Sequence, residues 1–575
     1  MQKKKISNAK NTLILYIVLA ACFLVLSIVC PIRYQNNDDK IIMYILAGFN
    51  SGHPEYGAAF GGIFWSWIIA GLYSITGHVA WYTVMTLFVI ESSVFAVSYV
   101  ICHLVPGIKA YVISILLLIS TFAYFTSAMQ YTVTAAMAGC AAICLLIYYL
   151  KNVKQGPFIC SIIFLLLAFG IRKQIGILTL GGEIIILGIA FLNVLINAGK
   201  ADKESVSQNI FQNKNLGFVL KTSAIILGAF IFSYGFNAIY EKAAGFDEYW
   251  DYYDSACYYL DYPHVDIDDD PTGVYESIGW DKELYTMANK WFFMDSRCTT
   301  ENFETIKAAY TGGQTLTLGE YIARAMDILR SSKVANVQLI GWIIFLLIAN
   351  IFTLVKKNFN HWIITADVMM LGFLAMMGYY CIFLGRFPLR VYQSAILIFL
   401  VPILVLLLAG EGSITISKVY ICLSLIIFAF TYAKYPAGNM LKALNLVCHD
   451  PARDADIAAA LKLDQYAIEN PDNIYIFDYE LSVPADPFIT YPEGKPYNEF
   501  YWGGWTYKMP VYEHQLEANG IDSLDSSDFI DSNVYISGKY IDEDLTAYMQ
   551  SRYGQVEPEI VEDLGDIIIY QYRKK

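Results

Sequence analysis

The sequence predicts a polytopic α-helical membrane protein with about 11 crossings and a small extracytoplasmic α/β domain at its C-terminal end. Hydrophobic residues make up 56% of the chain, and many of them form long apolar runs. A run of roughly 17–25 apolar residues can span a hydrocarbon core of about 30 Å as a helix. The acidic residues behind the net charge of −13 concentrate instead in two segments, 241–335 and 434–575. We therefore expect these two segments to face water.

The apolar runs place the membrane spans. The first covers residues 12–30 and follows the basic stretch Met1–Lys5, without a small-x-small cleavage site, so we expect a retained span with a cytoplasmic N-terminus. Further spans are predicted at 79–104, 108–127, 131–150, 157–171, 175–197, 217–240, 336–355, 361–384, 391–410 and 415–433.

The basic loops decide whether the apolar stretch 58–75 crosses the membrane. Loops 151–154, 200–214 and 356–357 are rich in lysine and are expected in the cytoplasm. This requires an odd number of crossings between the first span and loop 151–154, and the three long runs there already supply it. We therefore predict that 58–75 does not cross and that 41–75 forms juxtamembrane helices at the outer leaflet. The C-terminus then lies outside the cell.

This topology divides the chain into four parts. The last of them alternates apolar strands with helices, which indicates an α/β layer. The predicted parts are an N-terminal transmembrane module at 1–240 with a catalytic first outer loop at 31–78, an extracytoplasmic helical cap at 241–335, C-terminal transmembrane helices at 336–433, and an extracytoplasmic α/β domain at 434–575.

Two adjacent carboxylates, Asp38 and Asp39, lie just beyond the first span. They can belong to an ordinary solvated loop or to a catalytic centre. A carboxylate beside another carboxylate has a raised pKa, which suits a general base. Alternatively, the pair can share a divalent cation, since hard oxygen ligands suit Mg²⁺, Mn²⁺ or Ca²⁺. Spacing does not decide which aspartate is the base, and we favour Asp39 slightly because it lies deeper toward the interfacial helices.

Four basic residues are expected on the same outer face as the acid pair. They are Arg172, Lys173, Arg386 and Arg390, and they run against the tendency of basic residues to stay inside. Each can simply reach the lipid headgroups. Together with an acid pair, they favour a site that binds the phosphate of a lipid carrier.

Three further polar residues and one aromatic segment are candidates for the same site. His53 and Glu55 can line an acceptor site or serve a turn around Pro54. Glu183 is an intramembrane acid, which is functional by default, and can reach a cavity under Arg172. The aromatic segment 500–507 can stack on sugar rings or pack against the cap.

Composition also excludes some classes of partner. The two aqueous segments are acidic, so nucleic acid is a poor candidate, because phosphate contacts need Lys and Arg. No CxxC or HExxH motif occurs, so a zinc site has no support.

The arrangement resembles the GT-C class of integral membrane glycosyltransferases, which use polyprenyl-phosphate sugars as donors; recurrent bacterial polytopic membrane proteins share the layout. In that class, the first outer loop carries essential acids, a basic residue near a later span contacts the carrier phosphate, and a soluble domain often follows the last span. The matching elements here are Asn37-Asp38-Asp39, the loop Ser51–Glu55 with the interfacial stretch to Tyr73, Arg172, Arg386 or Arg390, and residues 434–575.

The resemblance implies a glycosyltransferase that moves a sugar from a polyprenyl-phosphate donor to a cell-envelope glycan or polymer at the outer face of the membrane. The chain lacks the Trp-Trp-Asp signature of the oligosaccharyltransferases, which disfavours protein N-glycosylation. Two other classes stay open. A transporter or flippase for lipid-linked sugars predicts internal repeats and broken helices with midplane charges, and no convincing repeat occurs. A non-catalytic scaffold of envelope assembly needs only the outer domains.

Overall fold

The chain folds into a helical bundle, a group of shorter helices and one five-stranded sheet in a computed structural model. The structure describes residues 2–29, 32–119, 128–198, 214–261, 264–311, 317–331, 333–357, 360–384, 388–410, 413–434, 451–477, 486–490 and 498–575.

The helices follow one another with short connections over most of the described ranges. In chain order they are α1 Gln2–Val29, α2 Asp38–Ala47, α3 Ile63–Ile75, α4 Trp81–Leu104, α5 Ile108–Leu117, α6 Tyr131–Asn152, α7 Gln155–Ile171, α8 Lys173–Ala198, α9 Lys214–Ala243, α10 Phe246–Asp261, α11 Val274–Ser277, α12 Lys282–Asn289, α13 Thr300–Thr311, α14 Leu318–Ser331, α15 Lys333–Lys356, α16 His361–Gly378, α17 Leu389–Ala395, α18 Val401–Ala409, α19 Ser413–Lys434, α20 Pro451–Glu469, α21 Pro510–Ala518 and α22 Glu543–Tyr553. The strands are β1 Arg33–Tyr34, β2 Ala128–Met129, β3 Ile474–Phe477, β4 Glu499–Tyr501, β5 Val534–Gly538, β6 Val556–Asp563 and β7 Ile568–Lys574.

The bundle is that of a multi-pass membrane protein. Among the described residues, 7 helices are long and apolar enough to cross a membrane. The other predicted spans coincide with shorter apolar helical segments at Thr12–Ile28, Ile108–Leu117, Gln155–Ile171 and Thr415–Ile426. The structure thereby confirms a helix at each predicted span, although residues 120–127 of the span 108–127 lie outside the described residues.

Helix α3 is the apolar stretch that was predicted not to cross. It has 13 residues, which at 1.5 Å per residue give a length of about 20 Å. This is shorter than a hydrocarbon core of about 30 Å. Trp65 and Tyr73 are buried, whereas Phe64 and Trp67 on the other side of the helix are exposed. A helix too short to span, with apolar and aromatic side chains on its exposed side, fits the predicted juxtamembrane position, and the topology itself stays a prediction.

Helix α6 is the centre of the bundle, and nearly all of its side chains are buried. Its sequence is rich in alanine and glycine, which lets neighbouring helices approach closely. A Cβ on Gly139 would overlap the Thr179 hydroxyl of α8. This close packing holds the N-terminal end of α6 in place.

The predicted α/β domain is present. Its sheet has the order β4-β3-β5-β7-β6, with β4, β3 and β5 parallel and β7 and β6 antiparallel to their neighbours. All four residues of β3 are buried, as expected for a central strand covered on both faces. Asp542 directly precedes α22, and its carboxylate caps the helix by accepting from the backbone N–H groups of Asp544 and Leu545.

The cap and the α/β domain form one body around a shared core. Cap residues Tyr252, Trp280 and Phe292 belong to the same buried cluster as Trp502 and Tyr548 of the domain. Polar contacts join the two segments as well, for example the Tyr548 hydroxyl, which donates to Asp295 at 2.5 Å. We call this unit the extramembrane body; it comprises α10–α13 and the domain from α20 to β7.

Candidate active site

A short parallel strand pair brings the first loop to the N-terminal end of α6. Arg33 and Tyr34 pair with Ala128 and Met129, and the backbone N–H of Gln35 donates to the Met129 carbonyl at 2.7 Å. Helix α2 begins directly after this pair. Its first turn carries both aspartates, which is favourable at the positive end of a helix dipole. The acid pair is thus held against α6.

Asp38 lies in a cavity of about 260 Å³ between the helical bundle and the extramembrane body. Its Oδ2 accepts from Arg390 Nη1 at 3.0 Å and from Asn36 Nδ2 at 2.9 Å. The Asp38 side chain is 14% exposed and that of Arg390 is 31% exposed. This ion pair is therefore partly shielded from water yet open to a bound molecule.

Asp39 lies beneath the cavity and does not line it. Its Oδ1 accepts from the Tyr82 hydroxyl at 2.8 Å, and its Oδ2 accepts from the Tyr131 backbone N–H at 3.3 Å. Burial raises the pKa of Asp39 well above its ordinary value, and the neighbouring charge of Asp38 raises it further. The slight preference for Asp39 as the base is therefore not supported by the geometry, because Asp38 is the aspartate that reaches the cavity.

The two aspartates also contact different partners, Arg390 for Asp38 and Tyr82 for Asp39. This arrangement does not favour a cation shared between them. Among the residues that the structure describes, no group of three or more His, Cys, Asp or Glu side chains converges as a metal site would require. The cavity does hold a further acid, Asp261, at the end of α10.

Arg172 enters the same cavity from the junction of α7 and α8. Its guanidinium donates to the Tyr131 hydroxyl and to Thr132 Oγ1. It also lies over the rings of Phe60, at 5.4 Å, and Tyr131, at 4.9 Å. No carboxylate in the described ranges pairs with it. Arg172 therefore presents a positive charge that is held in place by neutral groups.

Aromatic side chains form much of the remaining cavity wall. Phe60 lies 4.9 Å from Trp505 and 5.6 Å from Tyr253, measured between ring centroids. The loop that follows β4 contributes Tyr501 to Thr506, and the cap contributes Trp291. The predicted aromatic segment therefore packs on the cap and also lines the cavity, and its stacking on sugar rings stays a prediction.

Backbone contacts hold this aromatic loop against the cap. The Trp502 carbonyl accepts from the Phe293 N–H at 2.9 Å, and the Trp505 carbonyl accepts from the Tyr249 hydroxyl at 2.6 Å. Gly503 is required by close approach, because a Cβ there would overlap the Trp291 carbonyl oxygen. The wall from the extramembrane body is thus fixed in place.

Several residues predicted for the site lie elsewhere. Lys173 points away from the cavity, where it pairs with Glu241 and lies 4.5 Å from the centre of the Trp250 ring. Glu183 is buried inside the bundle with Ser161 as its partner at 3.4 Å, and it does not line the cavity under Arg172. Arg386 lies outside the described residues.

His53 and Glu55 lie at a contact between the first loop and the α/β domain. Glu55 Oε1 pairs with His514 Nδ1 at 2.9 Å, and it accepts from Ser51 Oγ at 2.6 Å. His53 is largely exposed at 3.6 Å from Glu55. Neither lines the cavity, because the turn after α2 directs them toward α21.

Sequence reasoning missed Asn36, Phe60, Tyr253, Asp261 and Trp291. They come from three separate segments, and each is one of many residues of its kind. The cap contains many acids and aromatic residues, so the sequence does not single out Asp261 or Trp291. Only the fold brings these two residues to the cavity.

The fold and the cavity together define a multi-pass membrane protein with two acids and two arginines in one chamber at the end of its bundle. Among solved structures, the chain is similar to the crystal structure of ArnT from Cupriavidus metallidurans in the apo state, at 11% identity over 98% of each chain and with a TM-score of 0.39. The resemblance to the GT-C class rests on the sequence and is not argued from this likeness. At this TM-score the overlap is loose, and function is inferred here from the cavity. No family model and no curated protein matches the chain.

Proposed function

We propose that the chain is a glycosyltransferase that moves a sugar from a polyprenyl-phosphate donor to a cell-envelope glycan or polymer at the outer face of the membrane. One observation carries the proposal. A single cavity beside the bundle holds a carboxylate, Asp38, together with Arg172, whose charge no described acid compensates. A phosphate-linked donor requires a base and a cationic site side by side.

The transfer step can be written with these groups. The acceptor hydroxyl oxygen forms a bond to the anomeric carbon of the donor sugar, and the bond from that carbon to the phosphate oxygen breaks. The electron pair of the broken bond stays on the phosphate, where Arg172 stabilises it through hydrogen bonds from its guanidinium. The hydroxyl proton passes to Asp38. Arg390 holds the Asp38 carboxylate in position for this role.

Asp39 acts in this proposal as a positioning residue rather than as the base. Its two hydrogen bonds join α2 to α4 and α6, so it fixes the direction in which Asp38 points. Of the two roles predicted for the acid pair, general base catalysis by Asp38 fits this arrangement better than a shared Mg²⁺, Mn²⁺ or Ca²⁺ ion, because the oxygens of Asp39 are engaged below the cavity.

The orientation of the chain in the membrane is also part of the proposal. A cytoplasmic N-terminus and an extracytoplasmic C-terminus agree with the lysines at 3–5, 151–154 and 356–357 and with the acidic composition of the extramembrane body. The donor lipid reaches the cavity from the bilayer, and the acceptor reaches it from water.

Envelope glycans of a deletion strain test the proposal. Mass analysis should show a glycan that lacks one sugar, and a plasmid copy of the wild-type chain should restore that sugar. Asp38→Asn should insert normally but fail to restore it, because loss of a general base costs roughly 10²–10⁴ in rate. A scaffold or flippase does not need this proton transfer, so full restoration by Asp38→Asn would refute the enzyme proposal.

A further inference from the structure

The cavity has two walls of different origin. Asp38, Arg172 and Arg390 come from the membrane bundle and its juxtamembrane helix, whereas the opposite wall comes from the extramembrane body. That second wall carries aromatic side chains, Trp291 and Trp505 among them. The positive charges that suit a phosphate therefore lie on the bundle side, and the extramembrane body contributes ring surfaces together with one carboxylate, Asp261.

Three residues that line this cavity each have a buried side-chain polar atom without a hydrogen-bond partner in the described part of the chain. These atoms are the indole N–H groups of Trp502 and Trp505 and the side-chain oxygen of Asn36. An unpaired buried donor or acceptor costs about 1–3 kcal/mol, so such groups are rare unless something else pairs with them. Two donors and one acceptor at one cavity fit a ligand with several hydroxyl groups, because a hydroxyl both donates and accepts.

We infer that this wall is a carbohydrate subsite that binds the acceptor, and that the acceptor is the end of a glycan. The inference rests on the proposed function and specifies its acceptor. A sugar ring packs its apolar face against Trp505 and Phe60, while its hydroxyls pair with the indole donors and with Asn36. The bound ring then holds one free hydroxyl toward Asp38.

The size and position of the cavity favour the end of a glycan over other acceptors. Its volume of about 260 Å³ lies below the common ligand-pocket range of about 300–1,000 Å³, so a terminal sugar fits better than the middle of a polymer. A lipid acceptor would have to share the bundle side with the donor lipid. A protein acceptor would leave the two indole donors and Asn36 without a set of hydroxyl partners.

Binding by variants of Trp505 tests the subsite. The probe is a set of fluorescently labelled oligosaccharides released from the envelope of the deletion strain, which carry the acceptor without its final sugar. Trp505→Phe keeps a ring but removes the N–H, and should weaken binding roughly fivefold or more. Trp505→Ala also removes the stacking surface and should weaken binding more than tenfold.

Trp280→Phe is the matched control. Trp280 is buried in the same extramembrane body, but its N–H donates to the Arg297 carbonyl at 3.1 Å, away from the cavity. This variant should bind the oligosaccharides like the wild type. Quenching of tryptophan fluorescence by the oligosaccharide in the wild type, and its reduction in Trp505→Phe, provides a second measurement if Trp505→Ala does not fold.

The outcomes separate the subsite from the proposed function. A wild-type protein that binds polyprenyl phosphate but none of the oligosaccharides, or a folded Trp505→Ala variant that binds them unchanged, would overturn the subsite alone. A wild-type protein that binds neither ligand would overturn both the subsite and the glycosyltransferase proposal.

Discussion

Removal of the Arg172 guanidinium should weaken the binding of polyprenyl phosphate by about 10- to 150-fold. Among the residues that the structure describes, Arg172 donates only to two hydroxyl groups, of Tyr131 and Thr132, and no carboxylate there competes with a phosphate for its charge. A hydrogen bond to a charged group contributes about 1.5–3 kcal/mol, and each 1.4 kcal/mol corresponds to a factor of ten in affinity. Arg172→Lys should fall between Arg172→Ala and the wild type, because an ammonium keeps the charge but cannot reproduce the two parallel hydrogen bonds of a guanidinium.

The assay compares polyprenyl phosphate with the neutral polyprenol on protein in nanodiscs, so that hydrocarbon binding is subtracted. Lys173→Ala is the matched control, since it removes one positive charge from the next residue, which pairs with Glu241 outside the cavity. Equal losses in Arg172→Ala and Lys173→Ala would mean that the effect is a general one of charge. Unchanged affinity in Arg172→Ala would refute the assignment of the phosphate to this cavity.

Three further predictions concern pH, packing and topology. Burial raises the pKa of Asp39 above that of the unfolded chain, so the unfolded carboxyl loses its proton first as the pH rises. The stabilisation from Asp39 is therefore present below about pH 3.9 and is lost as the pH rises through the pKa of the folded state. In thermal unfolding, the stability of Asp39→Asn should decline less over this pH range than the stability of the wild type. Gly503→Ala should destabilise the protein by about 1–3 kcal/mol and abolish sugar transfer, because the new Cβ overlaps the Trp291 carbonyl. Gly504→Ala, at φ +82 with open space around it, should cost about 1 kcal/mol and keep transfer; equal activity in the two variants would contradict the packing. A cysteine at Gly77 should react with an impermeant reagent from outside the cell, and reaction only from the cytoplasm would show that α3 crosses.

The membrane helices could be predicted from the sequence because hydrocarbon imposes a single requirement on every span. A backbone without water must satisfy its own hydrogen bonds, so each long apolar run becomes a helix whatever its neighbours are. The parity of basic loops predicts that 58–75 does not cross; α3 has 13 residues, and the topology stays a prediction. These inferences need only length, polarity and the position of lysines.

The roles within adjacent pairs could not be predicted. Asp38 and Asp39 are neighbours on one helix, and so their side chains point about 100° apart. The contact of α2 with Tyr82 and Tyr131 decides which of them reaches the cavity. Arg172 and Lys173 are also adjacent, at the junction of α7 and α8, and they carry the same charge. The sequence therefore does not show that Arg172 lines the cavity and that Lys173 pairs with Glu241.

The wall formed by the aromatic segment and the cap could be predicted only in part, because the sequence allowed packing of residues 500–507 against the cap but did not indicate their meeting with Trp291 at the cavity. The aromatic segment at 500–507 and the cap residue Trp291 are far apart in the chain, with several membrane helices between them. Nothing local indicates that the Trp502 carbonyl meets the Phe293 N–H. The contact forms because both segments bury apolar surface in a common core.

The shared core imposes an order on biosynthesis. The ribosome releases the cap helices long before strands β5 and β7, yet Phe292 of the cap is buried by Tyr548 and by other residues of the later domain. During that interval the apolar side of the cap is exposed at the membrane surface while the remaining helices are inserted. Synthesis of the α/β domain then closes the cavity, so the chain gains its complete chamber only after the membrane bundle is in place. A ribosome that stalls between the last membrane helix and the sheet leaves an inserted but open protein, which chaperones and proteases at the membrane can recognise by its uncovered cap.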